Sequence, residues 1–298
     1  MDLHRFAEWI VPEARAAENG GVSAYPQSFA ARPHASQSWF VYGLPAGTTK
    51  QDAVVVENTG DRPVSVRLYP VDATHTSDGA FALRNEDEPR KDVGSWIILS
   101  RASLRLGPGE KQEVPFAVRL PPGLPPGDYA GGIIVQNDEL SRRSGEGMQV
   151  SILSRLGVRV YESVPGKTQV SLRVGALGYR WTDDRLIVSL PAKNLGTVRL
   201  EWKGTVEVRN MFSSAVARQT FEKELQPASS AVLLLPLPVN KPLFDRYTVE
   251  VQGNYEARGV TKPFSAEASF FAFRGGILLG IGLALLLVGA AIALKRRR

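Results

Sequence analysis

The chain has 298 residues, 43% of them apolar, and no cysteine, which excludes disulfides, thiolate metal sites and a cysteine nucleophile. Its formal charge is +6, but taking away Lys295, Arg296, Arg297 and Arg298 leaves +2, so the basic balance is no nucleic-acid footprint. With 20 prolines, 28 glycines, closely spaced alternating runs and no amphipathic helix, the composition favours an all-β chain of two tandem immunoglobulin-like β-sandwiches.

Residues 1–20, "MDLHRFAEWIVPEARAAENG", contain Ala14-Arg15-Ala16, a pattern like a signal-peptidase site. The apolar stretch before it is short and interrupted by Glu8 and Glu13, so the segment reads as the remnant of a signal peptide whose start lies upstream. The first sandwich is expected over 21–163. Its clearest stretch is "VVVENTGDRPVSVRLYPVD", Val54 to Asp72, an apolar run, Asn-x-Gly and then the alternation Val64, Val66, Leu68 of a half-buried strand. The polar, turn-rich stretch Thr74 to Ile97 reads as an insertion mostly unlike core strand, the kind of segment in which specificity resides. A Pro108-Gly109 turn then precedes Val114, Phe116, Val118 and Leu120, and Asp128-Tyr129 leads into "AGGIIV".

After the Pro-Gly break in "YESVPGKTQV", the second sandwich is expected over 164–273. It echoes the first: "VSLPAKNLGTVRLEWKGTVEV", Val188 to Val208, repeats the run, the Asn-x-Gly and the alternation Val198, Leu200, Trp202, and Arg246-Tyr247 leads into a matching return strand. Both Asn-x-Gly sequences are read as tight hairpins, with Gly60 and Gly196 at positive φ. From the Asn to the Tyr the first copy spans 71 positions and the second 53, which places the extra length in the insertion.

Gly275 to Leu294 is a run of 20 uncharged residues, enough at ~1.5 Å per residue to span ~30 Å of hydrocarbon, and "KRRR" follows it. Residues 274–298 therefore read as one C-terminal transmembrane α-helix with a basic cytoplasmic tail, which puts 1–273 outside the cell membrane.

No catalytic constellation emerges. The histidines His4, His34 and His75 have no metal-ligand spacing, and Asp72, His75, Ser77 and Asp78 are too close along one loop to form a triad. Glu86, Asp87 and Glu88 lack the alternation of a calcium loop, and Gly131-Gly132 precedes a strand, unlike a phosphate loop. No cofactor and no metal are expected. Trp202, in phase with Val198 and Leu200, reads as core, and Trp39 and Trp96 read as packing residues with stacking on a sugar as the second reading.

The order "SWFVYGLPAGTTKQDAVVVENTGDRPVSVRLYPVDATHTSDGAFAL", then "VGSWIILS", "LRLGPGEKQEVPFAVRLPPGLPPGDYAGGIIVQ", a second sandwich, a span and a basic tail resembles the extracellular WxL-interacting proteins of Gram-positive bacteria, the former DUF916 group. The resemblance covers about residues 21 to 137. It implies a first domain that associates with peptidoglycan or another cell-wall polymer, and a second that engages a surface protein. Trp96, Asp128, Tyr129, Gly131 and Gly132 are the candidate binding residues. The expected protein is thus a non-enzymatic, single-pass, membrane-anchored surface binder, with lipid contacted through Gly275–Leu294. The alternative from another class is an extracytoplasmic assembly chaperone, similar in plan to the two-sandwich pilus chaperones, that donates a strand edge to subunits.

Overall fold

The structure, a computed structural model, describes residues 17–19, 21–27, 38–137, 141–145, 148–152, 154–182, 185–240, 242 and 244–273. The chain forms β1 (Ala17–Asn19), β2 (Val22–Pro26), β3 (Phe40–Tyr42), β4 (Thr49–Asn58), β5 (Val64–His75), β6 (Phe81–Leu83), the helical turn α1 (Val93–Trp96), β7 (Ile97–Leu99), β8 (Ser103–Leu106), β9 (Lys111–Arg119) and β10 (Gly127–Asn137). There follow β11 (Ser141–Gly145), β12 (Met148–Ile152), β13 (Arg155–Val164), β14 (Leu172–Val174), β15 (Gly178–Thr182) and β16 (Arg185–Asn194). The last strands are β17 (Leu200–Arg209), β18 (Ala215–Leu225), β19 (Ser230–Leu237), β20 (Phe244–Ala257) and β21 (Val260–Phe273).

These strands build two sandwiches. In the first, one sheet runs β1-β2-β4-β9-β7 and the other β3-β13-β10-β5-β6, with β8 also on β5. In the second, β16 pairs β14 and β15 on one side and β19 on the other, facing a sheet β18-β17-β20-β21. Each sandwich has its own apolar cluster, from Val22 to Val164 in one and from Val170 to Ala272 in the other. The alternating residues are those that enter: Val64, Val66, Leu68, Val114, Phe116 and Val118 in the first, and Val198, Leu200 and Trp202 in the second. Trp202 is fully buried against Phe221 and Phe264, with ring centroids 5.2 and 5.9 Å away.

The duplicated Asn-x-Gly has a different role from the expected hairpin. β4 pairs with β2 and β9, whereas β5 pairs with β6, β8 and β10, so the connection crosses between sheets; β16 and β17 are likewise in different sheets. The asparagines make the crossing possible by bonding main chain that has left its ladder. Asn58 Nδ2 donates to the carbonyls of Arg62, Leu106 and Gly107 at 2.7, 3.1 and 2.9 Å, and its Oδ1 accepts the Gly60 N–H at 3.0 Å. Asn194 repeats this with Val198 and Leu225 at 2.9 and 3.1 Å and the Gly196 N–H at 2.8 Å. The two sandwiches are therefore equivalent from β4/β16 through β8/β18.

The positive φ expected at Gly60 and Gly196 is also corrected, for neither is among the glycines in that region. Gly196 is required by proximity: a Cβ there would lie 2.3 Å from the Gln169 carbonyl oxygen and 3.1 Å from the Ser171 nitrogen. At Gly60 the nearest atom to such a Cβ is Asn58 Oδ1, at 3.3 Å. Gly196→Ala is accordingly expected to cost about 1–3 kcal/mol through overpacking against backbone that cannot yield, and Gly60→Ala distinctly less. Equal losses for the two in denaturant titrations would contradict this account.

The extra length of the first copy is β6, α1 and β7, inserted between β5 and β8. It is less peripheral than its polarity suggests, since Val93, Trp96 and Ile97 join the first core. The Asp72 carboxylate organises it, accepting the main-chain N–H groups of Lys91, Asp92 and Gly94 at 2.6, 3.1 and 2.8 Å. A buried carboxylate so satisfied can remain inside without a counter-ion.

Among the described residues no helix is long and apolar enough to cross a membrane. The stretch Gly275–Leu294, on which the expected transmembrane helix rested, lies outside the described residues, as do residues 1–16 with the cleavage-like Ala14-Arg15-Ala16.

Candidate functional site

The sandwiches meet where β10 begins and β13 ends. Gly127 and Asp128 open β10 and stand opposite Val164 and Ser163 in register. The Asp128 N–H donates to the Thr197 carbonyl at 2.8 Å, and its carboxylate accepts the Arg199 N–H at 2.9 Å. Arg258, at the β20–β21 turn, reaches back to both the Asp128 carboxylate and the Ser163 hydroxyl. Arg258 (φ 51°) and Gly259 (φ 77°) are the two central residues of the β20–β21 hairpin, whose tight turn requires positive φ at both. A second contact comes from the β5–β6 turn, where the Ser77 carbonyl accepts the Val232 N–H of β19 at 3.0 Å and Asp78 faces Lys223 at 4.0 Å.

An aromatic cluster lies beside these contacts on the outer face of β13. Tyr161 packs against half-buried Trp39 and Phe81, with centroids 6.2 and 5.6 Å away. The Arg159 guanidinium lies 5.0 Å from the Trp39 centroid and 4.5 Å from that of Phe81. Arg199, from the second sandwich, lies 5.4 Å from the Tyr161 ring centre. Burial pushes the Tyr161 phenol up, against the pull of the two arginines. Both guanidiniums are engaged further, Arg199 with the Glu224 carboxylate at 3.6 Å and Arg159 with the Tyr161 hydroxyl at 3.4 Å, so the cluster reads as packing between strand and loop.

One residue inward, Glu162 is 0% exposed. Its Oε1 accepts the Leu44 N–H at 2.7 Å, while Oε2 has no hydrogen-bond partner. Burial, with Asp128 nearby as a smaller cause, pushes its carboxyl up to about 7, and the N–H groups of Leu44 and Ser163 hold it back. Sequence reasoning missed Glu162 because one acidic residue within "VRVYESV" carries no mark of being inside.

β13 has uneven cover. β10 pairs with it from Arg155 to Val164, but on the other side β3 covers only Val160, Tyr161 and Glu162, in parallel register. Before Arg155, β11 and β12 pair with each other as a two-stranded sheet of their own. In β12 and β13 the apolar residues Met148, Val150, Ile152, Leu156 and Val158 recur at alternate positions on either side of a short break.

The five candidate binding residues are placed as follows. Trp96 is buried and meets Tyr129 edge-on at 5.2 Å, and the Tyr129 hydroxyl donates to the Pro125 carbonyl at 2.9 Å. Asp128 lies at the meeting of the sandwiches. A Cβ on Gly131 would sit 2.7 Å from the Val71 oxygen and 2.8 Å from the Val93 Cβ, and one on Gly132 would sit 2.7 Å from Leu83, so these glycines admit α1 and β6 against β10. Trp96 and Tyr129 are thus brought together, while Asp128 and the glycines face other partners. No group of three or more His, Cys, Asp or Glu among the described residues is placed to hold a metal ion. Glu86 and Glu88 pair with Arg67 and Arg84.

No family model matches the chain, and no curated protein does. Among solved structures it is similar to a chaperone–tip adhesin complex of CFA/I fimbriae, at 13% identity over 83% of this chain and 99% of that one, with a TM-score of 0.41. It is similar to the Salmonella enterica SafB chaperone complex with SafA pilin, at 12% identity over 84% and 97%, with a TM-score of 0.37. A third is the CsuC–CsuE chaperone–tip subunit complex of Acinetobacter baumannii, at 13% over 76% and 94%, with a TM-score of 0.37. All are built on two-domain β-sandwich chaperones.

The resemblance to WxL-interacting proteins is corrected, for no family model and no curated protein supports it. The peptidoglycan-binding function, the cell-wall and surface-protein partners and the DUF916 assignment rested on it and fall with it. The single-pass membrane placement and the lipid contact through Gly275–Leu294 are left without support: that stretch lies outside the described residues, and among the described residues no helix is long and apolar enough to cross a membrane.

Proposed function

We infer that the chain is an assembly chaperone of the two-sandwich type, lending a strand edge to extended segments of subunits, with residues 21–163 and 164–273 as its two domains. The observation that carries this reading is the β11–β12 ribbon continuing into the half-covered β13. Among the described residues no third strand pairs with β11–β12 and none covers Arg155–Arg159 on the side away from β10, while the sequence of β12 has an apolar residue at every second position, Met148, Val150 and Ile152. An extended peptide added to such an edge gains a ladder of hydrogen bonds from the backbone and selectivity from its alternate side chains. Asp128 and Arg258 hold the second sandwich against the root of that strand. In this role the chain binds and releases and catalyses nothing.

The test is hydrogen exchange with a synthetic peptide of about 15 residues, apolar at alternate positions, against a peptide of the same composition with its apolar residues grouped. Only the alternating peptide should protect the amides of 148–158. Val150→Asp together with Ile152→Asp should weaken its binding at least ~10-fold, because each places a charge in the apolar stripe. Binding that ignores these substitutions, or protection confined to other strands, would refute the assignment.

A further inference from the structure

The β5–β6 turn is built within its own five residues. The Thr76 carbonyl accepts the Gly79 N–H at 2.9 Å, the Thr76 N–H donates to the Ala80 carbonyl at 2.9 Å, and the Ala80 N–H donates to the Thr76 hydroxyl at 3.1 Å. A type I turn closed by a left-handed residue has this pattern, and Gly79, at a φ of 85°, supplies that residue. Ser77 and Asp78 at the tip are exposed, whereas Gly79 is buried, and what buries it belongs to the second sandwich. A Cβ on Gly79 would lie 2.6 Å from the Ala231 Cβ and 3.0 Å from Leu225 Cδ2, and both of those residues are in the second core. The surface that receives the turn is the start of β19. Among the described strands β19 pairs with β16 alone, and its Val232 N–H, turned away from β16, donates to the Ser77 carbonyl at 3.0 Å. By the period of two the main-chain groups of Leu234 and Pro236 also face away, and Pro236 has no N–H to offer. The Asp78–Lys223 pair at 4.0 Å adds little, since both side chains are well exposed.

We propose that this turn is a lock: by seating Gly79 on Ala231 and Leu225 and bonding Ser77 to Val232, it holds the two sandwiches in one orientation. β5 and β10 are neighbours, with Gly131 opposite Asp72, so the turn stands at the same end of the sheet as Gly127 and Asp128. There the other contact between the sandwiches joins Asp128 to Thr197, Arg199 and Arg258. A single contact of this kind leaves the second sandwich free to swing about it, and small interfaces between domains permit such motion by default. A further contact one strand away removes the swing, because Gly79 leaves no gap over Ala231 and the Ser77 bond to the strand edge has a fixed direction. The lock goes beyond the lending of a strand by β12 and β13 and does not depend on it.

The chain has no cysteine, so thiols introduced for spin labels are unique. In the full chain, labels at Lys50→Cys in β4 and Thr220→Cys in β18, both exposed positions, report the distance between the sandwiches by double electron–electron resonance. With the native turn the distance distribution should be a single narrow peak. Gly79→Asn keeps a residue that tolerates positive φ but drives a side chain into Ala231, and it should broaden the distribution at least ~2-fold. Val232→Pro removes the donated N–H from the opposite side, at an outward-facing edge position where proline leaves the β16 ladder whole, and it should broaden the distribution likewise. Circular dichroism should show both sandwiches folded in each variant. A broad distribution with the native turn overturns the proposal, and so does one that stays as narrow in either variant as in the native chain, which assigns the orientation to the Asp128 contact alone.

Discussion

Asn194→Ala should destabilise the second sandwich by about 3–5 kcal/mol while leaving the first at its wild-type stability. Asn194 is 0% exposed and satisfies three main-chain groups: the carbonyls of Val198 and Leu225 and the N–H of Gly196. Each buried group left without a partner costs ~1–3 kcal/mol, and the vacated volume is too small and too enclosed for water to replace all three bonds. Asn194→Asp is an equally sharp probe, since it keeps the acceptor for Gly196 but sets a carboxylate against two carbonyl oxygens. Asn58→Ala should act on the first sandwich in the same way, with a smaller loss if solvent reaches Arg62 and Gly107, whose bonds are only partly buried. Hydrogen exchange resolved by strand reads the two domains separately. Losses below about 1 kcal/mol would mean that the crossover is held by its flanking ladders and that the asparagine is incidental.

The second large effect is a dependence on pH centred on Glu162. Its folded-state carboxyl is raised to about 7, above the ordinary ~4.3 of an unfolded chain. The native state therefore binds the proton more tightly than the unfolded state. Stability from this group is fully present below pH ~4.3, declines through the interval and is gone above about 7, a total of about 4 kcal/mol at ~1.4 kcal/mol per unit. Glu162→Gln retains an acceptor for the Leu44 N–H and cannot ionise, so the substituted protein should lack that decline and exceed the wild type above pH 7. Other carboxylates titrate in both proteins, and the difference between the two curves isolates Glu162. Parallel curves would show that the buried carboxylate is solvated by other means.

The sandwiches were legible because their strands follow a period of two and because the Asn-x-Gly signature was written twice. Topology was less so: an Asn-x-Gly between apolar runs is the mark of a hairpin as much as of a crossing between sheets, and only the remote carbonyls of Leu106 and Leu225 decide between them. Likewise, Gly196 was recognisable as necessary but not for the right reason, since its constraint is the Gln169 carbonyl, 27 residues back along the chain. The polar composition of the insertion hid Val93 and Trp96, whose entry into the core depends on a buried Asp72 that gathers three N–H groups around itself. The meeting of the sandwiches could not be read at all. Asp128 stood out only as the neighbour of a repeated tyrosine, and its partners Arg199 and Arg258 come from loops that carry no pattern. The resemblance to a cell-wall family failed for a related cause: alternating strands, Pro-Gly turns and a "GDYAGGI" stretch belong to the sandwich architecture and do not name its ligand.

The parallel pairing of β3 with β13 carries a consequence for how the chain is made. It joins Phe40 to Val160, and Phe40 is wholly buried against Phe116 at 4.9 Å. A nascent chain that has emerged only as far as β10 thus has most of the first sandwich in hand yet cannot close it, since the strand that completes the sheet and covers Phe40 is still to come. Contacts of such long sequence separation form slowly, and in the interval β10 has one unpaired side and Phe40 lacks half its surroundings. Chains arrested near residue 140 should be cut rapidly by protease, and chains arrested late enough to expose Val164 should resist it, which makes the last strand of the first sandwich the step that commits the domain.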